Sequence, residues 1–260
     1  MSTENGQARG PALRILQLYP EQMNIYGDWG NTLTLQRRAQ WAGFEVELLE
    51  HEIGGQMPSD VDLVVGGGGQ DSGQVAIAPD LRRHGAQLRE WAEADVPMLM
   101  ICGSYQLFGH VFVPAAQDVG SEPLQGISIL DVETRGSAQR LIGNLTVRTE
   151  QFGEVVGYEN HSGLTSLGPE ATALGRVAPF GEEDSTAGGN NGADGTEGAI
   201  SRNVIGTYLH GALLPKNPVL ADWLLGMAVL HRTGEDRYRA PEIDESITRE
   251  ARRVAMSRPR

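Results

Sequence analysis

The feature that most constrains the fold is a short apolar segment that leads directly into a cysteine. Residues 97–101 read Pro-Met-Leu-Met-Ile and are followed at once by Cys102 and Gly103. A strand that is apolar on both sides must be covered on both faces, which is typical of a parallel sheet between two helical layers. Because residues 103–110 are helical in pattern, the sequence predicts a strand–turn–helix elbow with Cys102 at its tip.

The rest of the first half alternates between strand and helix patterns. Apolar strand patterns cover 13–19, 44–49 and 61–65, and helical patterns cover 32–42 and 74–94. Alternation of this kind predicts a doubly wound, mostly parallel α/β sheet with flanking helices. In such a sheet the ligand site lies at the carboxyl ends of the strands.

The second half is richer in strand patterns, and 218–232 is an amphipathic helix. The extra β segments are predicted at 127–134, 141–148, 154–158 and 204–209. Residues 181–198 are rich in Gly, Asp, Glu, Asn and Ser and are predicted to form a mobile surface loop. We therefore expect one domain over 13–240, after a flexible N-terminus (1–12) and before a charged C-terminal helix or tail (241–260).

Composition narrows the classes of function. The formal net charge of -13 disfavours a nucleic-acid partner, since a phosphate backbone would be repelled. No apolar run reaches the roughly 18–20 residues of a membrane span, and the first residues lack a signal-peptide pattern. A single cysteine excludes an intrachain disulfide and a multi-cysteine zinc site. We expect a cytoplasmic protein without a metal.

Cys102 is the first candidate for chemistry. At a strand–helix elbow its side chain would be exposed at the sheet edge, where helix amides favour a thiolate and the Gly103 N–H can meet an oxyanion. Taken alone, the position is equally consistent with a buried, inert cysteine.

Four glycines follow the third strand, at 66–69. Their backbone amides can approach a ligand, and Gly68 or Gly69 could complete an oxyanion hole beside the elbow. A phosphate loop would require a following Lys-Ser/Thr, which is absent. A plain flexible turn is the alternative.

A histidine and an aspartate also follow predicted strands. His210 comes after the strand at 204–209 and could take the thiol proton and protonate the leaving amine. Asp28 follows the first strand and could orient His210. The alternatives are a structural histidine and an aspartate that caps a turn.

Together these segments resemble class I glutamine amidotransferases, in the branch that includes cobyric acid and cobyrinic acid synthases and the glutaminase subunit of lipid II isoglutaminyl synthase. The resemblance runs from about 13 to 225, with 181–198 as an insertion. Besides the glycine loop, it rests on Asn-Ile-Tyr-Gly-Asp-Trp-Gly-Asn (24–31), Ile-Cys-Gly-Ser-Tyr-Gln (101–106), Gln-Arg-Leu-Ile-Gly (139–143), Gly-Tyr-Glu-Asn-His-Ser-Gly (157–163), Gly-Thr-Tyr-Leu-His-Gly (206–211) and Leu-Pro-Lys-Asn (214–217).

The resemblance implies roles for particular residues. The usual class I enzymes carry a glutamate two residues after the histidine, but this chain has Ala212 there. In the isoglutaminyl branch an aspartate after the first strand fills that role, which carries over onto Asp28. Arg140 falls on the arginine that contacts the substrate and is expected to bind the glutamine carboxylate. The alternative is a solvent-facing arginine that forms a salt bridge. Gln106 and His161 are expected to line the pocket, and His161 could instead be a core histidine.

The function implied is a glutaminase that supplies ammonia to a partner. The resemblance implies a Mur-ligase-like (MurT-like) synthetase subunit that holds ATP, contacts lipid II and amidates its D-glutamate α-carboxyl; no cofactor is expected in this chain. One alternative is the amidating component of a cobyrinate or cobyric acid synthase. In those synthases the glutaminase is fused to an ATP-binding domain. The others are a stand-alone cysteine hydrolase and a silent scaffolding subunit.

Overall fold

The computed structural model describes residues 12–115, 122–179 and 188–258. Within these ranges the chain forms strands and helices in an order close to the predicted alternation. The strands are β1 (Leu13–Leu18), β2 (Val46–His51), β3 (Leu63–Gly66), β4 (Met98–Ile101), β5 (Val111–Val113), β6 (Leu124–Gln125), β7 (Val132–Thr149), β8 (Gly153–Leu167), β9 (Gly175–Val177), β10 (Thr196–Glu197), β11 (Ala199–Ser201) and β12 (Val204–Thr207). The helices are α1 (Trp29–Trp41), α2 (Asp71–Arg83), α3 (Gly85–Glu93), α4 (Gly103–Phe108), α5 (Leu213–Lys216), α6 (Pro218–Thr233) and α7 (Ser246–Met256), with a 3-10 turn at Ile25–Gly27 before α1.

The first sheet is the predicted one and has the order β11-β12-β4-β3-β1-β2. All of its pairings are parallel except that of β11 with β12. Every residue of β3, β4 and β12 is buried, as expected for strands that are covered on both faces. Helices α1, α5 and α6 contact one another, and α2 contacts α3 and α4. The prediction of a doubly wound, mostly parallel sheet is confirmed.

Two helices have bounds in the structure that differ from the predicted ones. Helix α1 begins at Trp29 rather than 32, because the side-chain oxygen of Asn24 accepts the Trp29 N–H at 2.8 Å. The segment 74–94 forms two helices, α2 and α3, that divide at His84. At the start of α3, Gly85 leaves room for Ile127, whose Cγ2 lies 3.1 Å from where a Cβ would be. Side-chain periodicity does not reveal such close approaches.

A second sheet covers the other half of the chain. It has the order β10-β9-β7-β5-β6, and β8 pairs with β7. The separate β segments predicted over 127–158 are in fact a long antiparallel hairpin of β7 and β8, whose register shifts between Gly136 and Leu141. This irregularity interrupts the alternation of inward and outward side chains along β7, which explains why the sequence predicted separate strands there. The buried residues of both sheets form one continuous core.

The predicted mobile loop at 181–198 needs a correction. Residues 181–187 lie outside the described residues, and so does the N-terminus up to residue 11. Residues 188–198 do not form an exposed loop, because Asn190 and Glu197 are fully buried. Polar side chains in this segment find partners inside the protein, so a lack of apolar residues does not exclude burial.

The charged C-terminal segment contains the predicted helix, α7. In the ranges that the structure describes, every helix is too short or too polar to cross a bilayer.

Candidate functional site

The site is built where four neighbouring strands end. In the order β12-β4-β3-β1, the elbow after β4 lies between the glycine loop after β3 and the segment after β12. Asp28 follows β1, which pairs with the other side of β3. Parallel pairing thus brings together segments that are far apart in the chain.

Cys102 occupies a strained elbow. Its φ of 48° and ψ of -103° are unusual for a residue with a side chain. Two hydrogen bonds hold the turn: the Cys102 N–H donates to Thr207 O at 2.8 Å, and the Ser104 hydroxyl donates to Gly67 O at 2.6 Å. The cysteine is 8% exposed and opens onto a cavity. Strain that the surroundings maintain is typical of a nucleophile elbow.

His210 and Asp28 form a fully buried pair beside the cysteine. Nδ1 of His210 lies 3.0 Å from Oδ2 of Asp28, and neither side chain is exposed. The backbone of His210 is fixed by an exchange of hydrogen bonds with Tyr158 of the second sheet. With Nδ1 engaged by the carboxylate, Nε2 is the nitrogen left for Cys102.

Electrostatics favour the protonated imidazole. Burial lowers the pKa of His210, but the negative charge of the Cys102 thiolate and the hydrogen bond to Asp28 outweigh it and raise the pKa to about 10. A cysteine beside an imidazolium is the usual setting of a reactive thiolate.

The glycine loop packs directly on this pair. The Gly68 N–H donates to Oδ2 of Asp28 at 2.8 Å, and a Cβ on Gly68 would lie 2.4 Å from Cε1 of His210. Of the two glycines predicted to serve an oxyanion, Gly68 therefore already has an acceptor for its N–H in this arrangement. Gly69 lines the cavity, and among the described residues its N–H has no acceptor.

A cavity of about 450 Å³ opens in front of these groups. It is lined on one side by segments that follow strands of the first sheet and on the other by residues of the second sheet. Its walls include Cys102, His210, Gly69, Gln106 and Arg140. A cavity of this size and polar character can hold a small polar molecule.

Three cavity residues form a chain of hydrogen bonds that the sequence did not predict. Nη1 of Arg140 donates to Oδ1 of Asn160 at 2.9 Å, and the Asn160 amide donates to the Tyr26 hydroxyl. The Tyr26 ring in turn packs edge-on against His210, with centroids 5.3 Å apart. Arg140 lies within the register shift of β7, between Gly136 and Leu141, and it lines the cavity. Asn160 and Tyr26 lie inside two of the motifs, which was the only signal for them.

Two other predicted pocket residues, Gln106 and His161, also line the cavity. Gln106 is held by Gln74 and Tyr208, at 2.7 Å and 3.1 Å. His161 stacks on Tyr208 at 3.5 Å, and burial lowers its pKa to about 3. His161 is thus a neutral, largely buried residue that contributes one edge to the cavity.

Ala212, which replaces the glutamate of the usual class I enzymes, is half-buried and lies against Gly30. Its Cβ lies 2.8 Å from where a Cβ on Gly30 would be. Gly30 therefore has no room for a side chain beside Ala212, and the carboxylate beside His210 comes from Asp28.

Among the described residues, one cluster could hold a metal: His51, Asp80 and His84, outside the cavity. The Asp80 carboxylate is already saturated, since a carboxylate offers about four acceptor positions. Its four hydrogen-bonding partners are Tyr19 Oη, His51 Nε2, Gly54 N and Arg83 Nη1. This cluster is best understood as a hydrogen-bonded junction between β2 and α2.

Comparison with known families identifies the domain. Residues 14–218 match the model of the CobB/CobQ-like glutamine amidotransferase domain. The chain is 35% identical to the GatD subunit of lipid II isoglutaminyl synthase (glutamine-hydrolyzing) from Staphylococcus aureus, over 95% of this chain and 96% of that one. It is 32% identical to the GatD subunit from Streptococcus pneumoniae, over 92% and 88%. A cobyric acid synthase from Sinorhizobium medicae is 31% identical over 75% of this chain, but over only 37% of its own length.

Solved structures agree on the fold. A glutamine amidotransferase structure matches 82% of this chain and 98% of its own, with a TM-score of 0.54 at 13% identity. A glutamine amidotransferase from Thermotoga maritima matches 95% and 94%, with a TM-score of 0.51 at 16% identity.

Proposed function

Since this chain belongs to the CobB/CobQ-like glutamine amidotransferases, we propose that it is the glutaminase subunit of a two-subunit amide ligase. In this proposal it hydrolyses L-glutamine in the cytoplasm and delivers ammonia to a Mur-ligase-like, MurT-like synthetase subunit. That partner binds ATP and amidates the D-glutamate α-carboxyl of lipid II.

One observation carries the hydrolytic part of the proposal. Asp28 engages Nδ1 of His210 at 3.0 Å, which leaves Nε2 for Cys102 at a strained elbow on the cavity. A nucleophile, a base and a group that orients the base are the parts that acyl transfer through a thioester requires.

The reaction follows from this arrangement. Arg140 holds the α-carboxylate of glutamine, and the Cys102 thiolate attacks the side-chain amide carbon. The N–H groups of Gly103 and Gly69 stabilise the oxyanion. His210 gives its proton to the departing nitrogen, so that ammonia leaves and a γ-glutamyl thioester forms on Cys102.

Water completes the cycle. His210, now neutral, takes a proton from a water molecule that attacks the thioester carbon. Glutamate leaves, the thiolate is restored and His210 is again protonated.

The comparisons support the acceptor and the partner. The alignment spans 96% of the staphylococcal GatD subunit but 37% of the cobyric acid synthase, so the chain is similar to the former over nearly its whole length. That relative is a subunit of a lipid II isoglutaminyl synthase.

The test is release of ammonia and glutamate from L-glutamine by the purified chain and by Cys102→Ser, each alone and with a co-expressed synthetase subunit. We expect release to vanish in the variant and to rise with the partner. With ATP and lipid II, the complex should form D-isoglutamine. Absence of release from folded protein in every arrangement would contradict the proposal, and release without amidation of lipid II would contradict the acceptor.

A further inference from the structure

Glu197 is a fully buried carboxylate that the proposed reaction does not use. It lies in β10 with no exposed surface, and in the described parts of the chain no basic side chain forms an ion pair with it. Burying an uncompensated charge is costly unless hydrogen bonds stabilise it. A residue of this kind in the core therefore calls for a specific explanation.

The hydrogen bonds of Glu197 converge on the end of β12. The Thr207 hydroxyl lies 3.0 Å from both carboxylate oxygens, and the Tyr208 N–H donates to Oε1 at 2.7 Å. The Thr207 hydroxyl oxygen also accepts the Leu209 N–H at 3.1 Å. The carboxylate therefore fixes the chain over the three residues that precede His210.

The same segment is joined to the elbow. The carbonyl of Thr207 accepts the Cys102 N–H at 2.8 Å, and the Tyr208 hydroxyl accepts from Gln106 at 3.1 Å. A displacement of Thr207 or Tyr208 would thus move Cys102 and His210 relative to each other.

We propose that Glu197 is a positioning residue that holds residues 207–210 in register with the Cys102 elbow and so sets the geometry between Cys102 and His210. It acts through the backbone and touches neither the substrate nor the reacting atoms. The inference rests on the proposed glutaminase function for its kinetic readout.

The experiment compares Glu197→Ala and Glu197→Gln with the wild type. The readouts are kcat and KM for glutamine and the rate at which iodoacetamide alkylates Cys102. We expect Glu197→Ala to lower kcat by about 10²-fold, since misplacement of a catalytic group by about 1 Å has that effect. KM should change less than kcat, and alkylation should slow. Glu197→Gln keeps the shape of the side chain and an acceptor for the Tyr208 N–H. Its kcat and its rate of Cys102 alkylation should therefore be close to those of the wild type.

Two further variants separate positioning from general stability. Asp80→Ala removes another buried carboxylate, one that lies outside the cavity; it should lower Tm and leave kcat unchanged. Thr207→Val removes only the hydroxyl that contacts Glu197, and it should lower kcat in the same direction even if Glu197→Ala does not fold.

Either of two results would overturn the inference. One is a folded Glu197→Ala protein with wild-type kcat and alkylation rate, or, if that variant does not fold, a Thr207→Val protein that retains both. The other is a loss of kcat in Asp80→Ala as large as the loss in Glu197→Ala. Alkylation needs no glutamine, so a wild-type protein that releases no ammonia either alone or with the synthetase subunit would refute the proposed function, while the alkylation rates still test the role of Glu197.

Discussion

Oδ2 of Asp28 lies 3.0 Å from Nδ1 of His210, and the same oxygen accepts the Gly68 N–H at 2.8 Å. One buried carboxylate oxygen thus ties the histidine to the glycine loop. The loop carbonyl of Gly68 in turn accepts the Ile25 N–H at 3.0 Å, which fixes the turn that precedes Asp28. The orientation of His210 depends on three segments that are separate in the chain.

Asp28→Asn should lower kcat for glutamine hydrolysis by about 10²–10⁴-fold. The amide keeps the shape but no longer stabilises the imidazolium, and it favours the wrong tautomer of His210. Steady-state kinetics on protein of unchanged fold would measure this. Asp62→Asn is the matched control, since Asp62 is buried and lies 3.4 Å from Nδ1 of His231, away from the cavity. Equal rates for Asp28→Asn and the wild type would remove Asp28 from the mechanism.

Gly68→Ala should abolish most of the glutaminase activity. The new methyl group would act by displacing His210 and would not touch the Cys102 nucleophile. The added Cβ would lie 2.4 Å from Cε1 of His210, so the ring must move. We expect kcat to fall at least as far as in Asp28→Asn. Gly226→Ala in α6 is the control, because a Cβ there meets only Tyr238 at 3.9 Å and helix propensity favours alanine. A Gly68→Ala protein with full activity would show that the ring position is not critical.

Arg140→Ala should raise KM for L-glutamine by about 10- to 100-fold, since hydrogen bonds to charged groups contribute about 1.5–3 kcal/mol. For the α-amide of glutamine, which lacks the carboxylate, the variant and the wild type should differ little. The control is Arg135→Ala, an exposed arginine on the same strand that does not line the cavity. If KM for both substrates rose equally, Arg140 would not be the carboxylate-binding group.

Glu197→Gln should change how stability depends on pH. Burial raises the pKa of Glu197 from 4.5 to about 7, so the unfolded chain loses this proton first as pH rises. The contribution of Glu197 to stability is therefore full below pH 4.5 and is lost as pH rises through about 7. The loss amounts to about 3 kcal/mol at 1.36 kcal/mol per pKa unit. Glutamine does not titrate and escapes this loss.

Urea denaturation of both proteins across this pH range would measure the difference. Between pH 4.5 and 7 we expect the free energy of unfolding of Glu197→Gln to rise relative to that of the wild type. The other titrating groups are common to both proteins and cancel in the comparison. A difference that stays constant over this range would mean that the carboxyl ionises as it does in water.

Local sequence patterns determined much of the first sheet and the position of the elbow. The apolar segments before Gly66 and Cys102 became fully buried strands, because a short strand without polar residues has no stable alternative to burial on both faces. The sheet edge then brought Cys102, His210 and Asp28 together, since the carboxyl ends of parallel strands meet at one edge. These predictions needed only local periodicity and the topology it implies.

Only the tertiary structure decided which groups are paired within the site. Asp28 and His210 are 182 residues apart, and the acceptor of the Gly68 N–H could not be read from four identical glycines. The Tyr26–Asn160–Arg140 chain depends on a register shift in β7, which periodicity does not encode. Glu197 stands in a polar stretch that was predicted to be a surface loop. It is buried because the partners of its carboxylate, Thr207 and Tyr208, lie in β12 and in the residue that follows it.

The sequence by itself determined where strands end and which side chains reach the sheet edge, because these follow from local burial. The hydrogen bonds that set protonation and orientation join distant segments over about 3 Å, so they emerged only from the packed structure.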